Sequence, residues 1–205
     1  IKIFKLLLNK KSSKVNFNGK YFKIKSADCY PKSFDQPYPE IVSAAYSDNG
    51  RDFAIKNCKV LFTMFENLDR TKKINYELKK KASKLGKKVS IYTPIHIIAR
   101  RSNSEANEFH DYYSDKHIDN EATQNFIKNV SVAGKKSLYK IMLSKKSIIA
   151  SSCGSKIIKG SYKDVREQLR ELKNAHFNGA AFSFVNYLDD IKNFKKYVLK
   201  KDLFN

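Results

Sequence analysis

A serine, an aspartate, an asparagine and a glycine follow one another at Ser47, Asp48, Asn49 and Gly50, directly after the apolar run IVSAAY at 41–46. Where a buried strand ends and a helix begins, the first N–H groups of the helix have no carbonyl to bond, which suits a phosphate. Ser47 adds a hydroxyl, Gly50 lets a backbone come close, and the small side chains of Ala44 and Ala45 leave room for a flat ligand beside Tyr46. Arg51 either neutralises an anion or faces solvent, while Asp48 opposes one. The same residues also suit an ordinary capped strand-to-helix turn, so residue types leave both readings open.

Other residues with chemistry stand apart from one another. His96 lies inside the apolar run at 89–99 and points inward if Thr93 and Ile95 do not, either as a packed core histidine or as a substrate-loop residue. His110 and His117 are seven positions apart with no third ligand at fixed spacing, so no metal site is expected. His176 falls near a helix end, where capping or solvent exposure suits it. Asn186 and Tyr187 follow the last apolar run and suit either a substrate loop or a turn. The small residues SSCGS at 151–155 read as an active-site loop, and Cys153 within it has no His or Asp tied to it by spacing, so an inert thiol is expected. A Ser-His-Asp order, a GxGxxG fingerprint and a Walker loop are all missing.

Alternating strand and helix patterns must hold these groups. A helix end is expected at 2–8, then a hairpin about Asn18-Gly19, whose dipeptide is a strong short hairpin signal. Strands are expected at 41–46, 60–63, 89–99 and 180–185. Between them come a helix at 48–57 with Phe53, Ala54 and Cys58 inward, and one carrying Ile74, Leu78, Ala82 and Leu85 that stops at Gly86. Ser104 is expected to cap a helix over 105–113, and Ser161 one bearing the stripe Val165, Leu169 and Leu172. A final helix covers 188–199. Buried strands separated by helices, without an internal repeat, indicate an α/β fold with a parallel sheet, open or closed into a barrel.

Charge narrows the partners. The chain of 205 residues has a net charge of +21, from 35 Lys and 6 Arg against 20 acidic residues. Arg pairs bidentately with phosphate and guanine where Lys does not, so this Lys excess argues against a nucleic-acid reader while still favouring anionic small molecules. Three separated cysteines, Cys29, Cys58 and Cys153, suit a reducing compartment, hence the cytoplasm. The apolar opening IKIFKLLLN is too short to span a bilayer, and no membrane association is expected.

Two long stretches carry a resemblance. CYPKSFDQPYPEIVSAAYSDNGRDFAIKNCKVLFT and IIKGSYKDVREQLRELKNAHFNGAAFSFVNYLDDIKNF resemble, in the right order, the luciferase-like flavin-dependent monooxygenases, especially their dimethylsulfone and pyrimidine branches. The resemblance implies the C-terminal half, strands 5 to 8, of a TIM (β/α)8 barrel. It divides the chain into a helix end, hairpin and linker (1–40), the β5 to β7 region (41–115), an insertion (116–159) and a closing helix-strand-helix (160–205). The chain opens on Ile1 rather than Met, and four further strands are expected upstream.

For chemistry the resemblance implies reduced FMN, supplied by an NAD(P)H:flavin reductase, and O₂, one atom of which passes to a small organic substrate while the other leaves as water. A sulfone or sulfonate is expected, with pyrimidine ring opening as the alternative and a non-catalytic flavin, anion or basic nucleic-acid module behind them. Ser47 matches the family hydroxyl that contacts the FMN phosphate, with Ala45, Tyr46, Asp48 and Gly50 lining the same pocket. The family often has Gly near Ala44 and Ala45 and a smaller residue or Gln at Tyr46. A homo-oligomer is implied for the full-length enzyme. Catalytic residues are not assigned, since most of the flavin-ring pocket belongs to strands 1 to 4.

Overall fold

The computed structural model describes residues 1–34, 36–132 and 143–200. A short helix α1 (Lys2–Leu7) leads into an antiparallel hairpin of β1 (Val15–Asn18) and β2 (Lys23–Ala27). Asn18-Gly19 marks the hairpin, but the turn is wider than the two-residue type this dipeptide favours. Asn18 pairs with Lys23, and Gly19 N–H donates to Phe22 C=O across the connection at 19–22.

From there strand and helix alternate. The succession is β3 (Val42–Ala44), α2 (Asp48–Asn57), β4 (Val60–Phe62), α3 (Leu68–Lys84) and the long β5 (Ser90–Arg100). An excursion follows through α4 (Asn103–Asp111), a π-helical turn (Tyr112–Lys116), α5 (Asn120–Val132) and α6 (Lys146–Ser152). The chain returns through β6 (Lys156–Ser161), α7 (Tyr162–Asn174), β7 (Gly179–Ser183), α8 (Tyr187–Asn193) and a closing π-helical turn (Phe194–Val198).

The strands form one parallel sheet in which β3 pairs β4, β4 pairs the start of β5, and β7 pairs β5 along its other side from Tyr92 to His96. Thus β3, β4, β5 and β7 match the strands read from the sequence and lie in sequence order, as successive strands of a barrel do. Missing from that reading is β6, which pairs Ile95–Arg100 and extends the ladder beyond β4. The outer edges of β3 and β7 have no neighbouring strand among the described residues.

Period-two alternation assigns the faces. Leu61, Ile91, Ile95, Ile97 and Ile158 are buried against Ala54 and Ile55 of α2, Leu78 and Ala82 of α3, Val165, Leu169 and Leu172 of α7, and Phe194 and Val198. The opposite face is unevenly covered: Val42 and Ala44 are exposed, Val42 by 56 %, and Phe62, Tyr92 and Pro94 are half-buried, whereas His96 and Ile98 further along β5 are buried, with Tyr113 of the π-helical turn against His96. Parallel sheets ordinarily bury both faces. This sheet has the strands of half a barrel, with its inner face open along β3.

Local geometry follows the expected stops and caps with specific departures. Lys87 N–H donates to Ala82 C=O and Gly86 N–H to Ser83 C=O, with Gly86 at φ +65°, so α3 ends in a Schellman turn. Ser161 caps α7 by accepting from Asp164 N–H. Helix α4 is capped by Ser102, which accepts from Glu105 N–H, and not by Ser104, whose hydroxyl instead donates to Glu108. Phe53 is exposed because the inner face of α2 is Arg51, Ala54 and Ile55, spaced at three and four. Leu85 is exposed because α3 has already ended. SSCGS is the end of α6 and its turn, with Ser151 and Ser152 buried, rather than an open loop. Gly160, at φ +149°, sits where a Cβ would lie 2.7 Å from Asn103 Oδ1, the atom that accepts from Ser161 N–H. Glycine there lets the end of β6 close against the start of α4.

Candidate active site

All strands of the sheet are parallel, so their carboxyl ends gather on one rim. The end of β3 delivers Tyr46 and Ser47, and the end of β7 sets Ser183 beside His96, which lies four residues before the end of β5.

Ser47 is the N-cap of α2: its backbone is extended, and its Oγ accepts from Gly50 N–H at 3.2 Å. Arg51 N–H donates to Ser47 C=O, which leaves the amides of Asp48 and Asn49 as free donors of the first turn. Tyr46, Ser47 and Asp48 are exposed. Ala45 is buried in the core beneath α2, and a Cβ on Gly50 would come within 3.0 Å of the Ala45 methyl. Hence Ala45 and Gly50 set how closely α2 approaches β3, and the open surface belongs to Tyr46, Ser47 and Asp48.

Arg51 does not face solvent. It is 7 % exposed, its Nε is buried without a partner, and its guanidinium stands 3.7 Å from Asp48 and 3.9 Å from Glu66. Those separations are too long for hydrogen bonds, and Glu66 is bound more closely by Arg70 at 2.9 Å. An under-coordinated guanidinium in low dielectric costs several kcal/mol, roughly, relative to one that is fully paired. Here it lies beneath the open turn that carries Ser47.

The second group on the rim is a hydroxyl–imidazole–hydroxyl chain. His96 is 4 % exposed and points to the inner face, since Ile95 joins the helix-side core. Its Nδ1 lies 2.9 Å from Ser183 Oγ and its Nε2 3.0 Å from the Tyr113 hydroxyl. Burial, with help from nearby His110, lowers the His96 pKa below its ordinary value. Burial likewise pushes the Tyr113 phenol up. A neutral imidazole has one N–H donor and one acceptor, so the chain can hold a proton at either hydroxyl by changing tautomer. Beside it Arg100 Nη1 donates to Asp190 at 2.8 Å and its guanidinium lies 3.9 Å from the centre of the Phe109 ring.

Asn186 and Tyr187 lie at the start of α8 and are exposed. Asn186 N–H donates to Asp190 Oδ2, so this turn is tied to the Arg100 pair. His117 packs on Tyr112 at 4.2 Å between ring centres, and among the described residues no three metal-ligating side chains come together. No described helix is long and apolar enough to cross a membrane. Tyr113, Ser183, Arg100 and Asp190 carry no local sequence signal: they lie 17 or 87 residues from His96, or 90 from each other, and meet only through the sheet.

The pattern of the luciferase-like monooxygenases matches residues 1–179. The chain belongs to that family. Among solved structures, it superposes on long-chain alkane monooxygenase LadA at 20 % identity and TM-score 0.68, covering 92 % of this chain and 46 % of LadA. DmoA from Hyphomicrobium sulfonivorans gives 15 % identity and 0.65 over 93 % and 46 %. The riboflavin lyase RcaE, solved with modified FMN and riboflavin, gives 11 % and 0.71 over 96 % and 54 %. This luciferase-like chain spans about half the length of those proteins. Its parallel strands β3, β4, β5 and β7, with β6 inserted between the last two, are accordingly part of a luciferase-like barrel.

The pH dependence of the luciferase-like half barrel follows from its histidines. His96 and His110 both have pKa values lowered from an ordinary 6.5, chiefly by burial. As pH falls below about 6.5 the unfolded chain binds protons that the folded chain refuses, so stability is lost on the way down to the folded values. Thermal melts should be level above that pH and fall between it and the carboxylate range, with a shallower fall in His96→Gln. A melting temperature that rises on acidification through this window would contradict the assignment.

Proposed function

We propose that this chain supplies the phosphate-binding side of a flavin site in an FMN-dependent monooxygenase, with the phosphate seated on the Ser47 turn. The buried, under-coordinated guanidinium of Arg51 carries this reading. An anion over the amides of Asp48 and Asn49 gives that cation the partner the protein withholds, and Ser47 adds a hydroxyl. Asp48 is its nearest resident countercharge and moves aside when the anion arrives. Tyr46, exposed on the inner face, would lie alongside the flavin ring.

When bound, reduced FMN supplies the electrons for oxygen activation, and the protein's part is to hold and shield it. His96 keeps a proton available at the Tyr113 or Ser183 hydroxyl on the same rim, while Asn186 and Tyr187 form the edge nearest the substrate. The substrate reading is a small sulfone or sulfonate, with pyrimidine ring opening as the alternative. Reduced flavin comes from a separate NAD(P)H:flavin reductase in the cytoplasm, and the complete enzyme is a homo-oligomer. The division into a helix-hairpin-linker lead, the β5 to β7 region, an insertion and a closing helix-strand-helix belongs to the same reading.

Fluorescence titration with FMN and with riboflavin tests the phosphate seat, because the two share a ring system and differ in the phosphate. FMN binding at least about tenfold tighter is expected, equivalent to about 1.4 kcal/mol. Equal affinities would remove the phosphate from this turn, and binding of neither would remove flavin from the chain.

A further inference from the structure

The opposite end of the sheet, where β3, β4 and β5 begin, has a cavity of its own, with a volume of about 350 Å³. Small-molecule sites begin at about this size. Its walls are backbone-fixed: Ile41 C=O accepts from Lys59 N–H, Lys59 C=O accepts from Ser90 N–H, and Pro37 C=O accepts from Lys10 N–H.

Charge in the cavity is one-sided. Lys5, Lys59, Lys87 and Lys88 line it, with Glu40 as the one acidic lining residue among the described residues. Glu40 is taken by Lys59, and the Lys87 ammonium donates to Lys56 C=O. Lys5 rests over the Tyr38 ring at 4.8 Å, a contact weaker than an ion pair, and no carboxylate pairs with Lys88 among the described residues. Buried Cys58, 7 % exposed, also lines it. Burial raises the Cys58 thiol pKa, against smaller lowering effects of a hydrogen bond with Ser43 and of the Lys5 and Lys87 charges.

We propose that this cavity binds a small ligand through a phosphate or diphosphate group, held by Lys5, Lys87 and Lys88 at the amino ends of the strands. Lys holds phosphate as a point charge, and three such charges around one concavity suit a polyanion better than a single carboxylate. A concave wall fixed by the backbone distinguishes this from the diffuse positive field of the surface, which would attract any anion without a fixed seat. The cavity is separate from the Ser47 turn, which lies at the carboxyl ends.

Cys58 reports on the cavity alone. In a Cys29→Ser/Cys153→Ser chain it is the sole thiol, and its rate of reaction with a disulfide reagent can be followed as inorganic pyrophosphate or ADP is added at physiological salt. Saturable protection is expected. Lys5→Gln/Lys88→Gln should shift its midpoint upward at least about tenfold, whereas Lys72→Gln/Lys73→Gln, which removes the same charge from the exposed face of α3, should shift it less than about twofold. Protection by pyrophosphate alone would mark an inorganic ligand, and equal protection by ADP a nucleotide. Equal shifts in the two double variants, or no protection at saturating pyrophosphate and ADP, would overturn the proposal.

Discussion

Replacing Arg51 by glutamine should weaken FMN binding about ten- to a hundredfold and leave riboflavin binding nearly unchanged. A hydrogen-bonded cation on a phosphate contributes roughly 1.5–3 kcal/mol, which sets that range. The same substitution should not destabilise the unliganded chain. Arg51 is buried with its Nε unpartnered and its carboxylates beyond hydrogen-bond length, so removing the charge relieves desolvation with little attraction lost. Urea unfolding without flavin is expected to give an equal or higher midpoint for Arg51→Gln. If Arg51 instead serves only to tie α2 to Glu66, the midpoint falls and FMN and riboflavin lose affinity together. The sign of the stability change therefore separates a ligand-directed arginine from a structural one.

Asp190→Ala should be the most destabilising single change on the rim, costing about 3–5 kcal/mol. Arg100 and Asp190 are both largely buried, joined at 2.8 Å, and Asp190 also accepts from Asn186 N–H at 3.3 Å. Removing the carboxylate strands the Arg100 guanidinium against Phe109 and frees the turn before α8. Against a typical total of about 5–15 kcal/mol, that loss approaches unfolding. Arg100→Met with Asp190→Leu should recover much of it, because no charge is then left unpaired. Urea midpoints of the single and double variants check this, and a double variant worse than Asp190→Ala would show that the pair itself stabilises the fold.

How far the fold could be read depended on how local its causes are. The strands at 42–44, 60–62, 90–100 and 179–183 advertise themselves by apolar runs, and Gly86 and Ser161 by their capping geometry. The β6 strand was not legible because KIIKGS is short, starts on a charge, and carries just before its end a glycine at φ +149° that turns against α4. Ser102 and Ser104 compete for one cap, and Ser102 takes it: its hydroxyl accepts from Glu105 N–H, while the Glu105 carboxylate reaches back past the cap to Arg101 N–H. Alternation along β5 turns His96 inward as its neighbours Thr93 and Ile95 require, yet nothing near His96 in sequence announces Tyr113 or Ser183. For Arg51, a basic residue in a first turn gives no sign of burial, and only the packing of α2 against the following loop reveals it.

The pairing of β6 with the upper half of β5 has an evolutionary consequence. The chain leaves β5 at Arg100 and re-enters the sheet at Lys156, the partner of Ile95, so both ends of the excursion are pinned to one ladder, about 17 Å apart along it. Everything between them is a cassette with fixed end points. Lengthening, shortening or exchanging that cassette leaves the separation of its ends, and therefore the pairing of the neighbouring strands, unchanged. Tyr113 travels with the cassette while His96 and Ser183 stay with the sheet. A lineage can thus retune what lies over the imidazole without solving the folding of the sheet again.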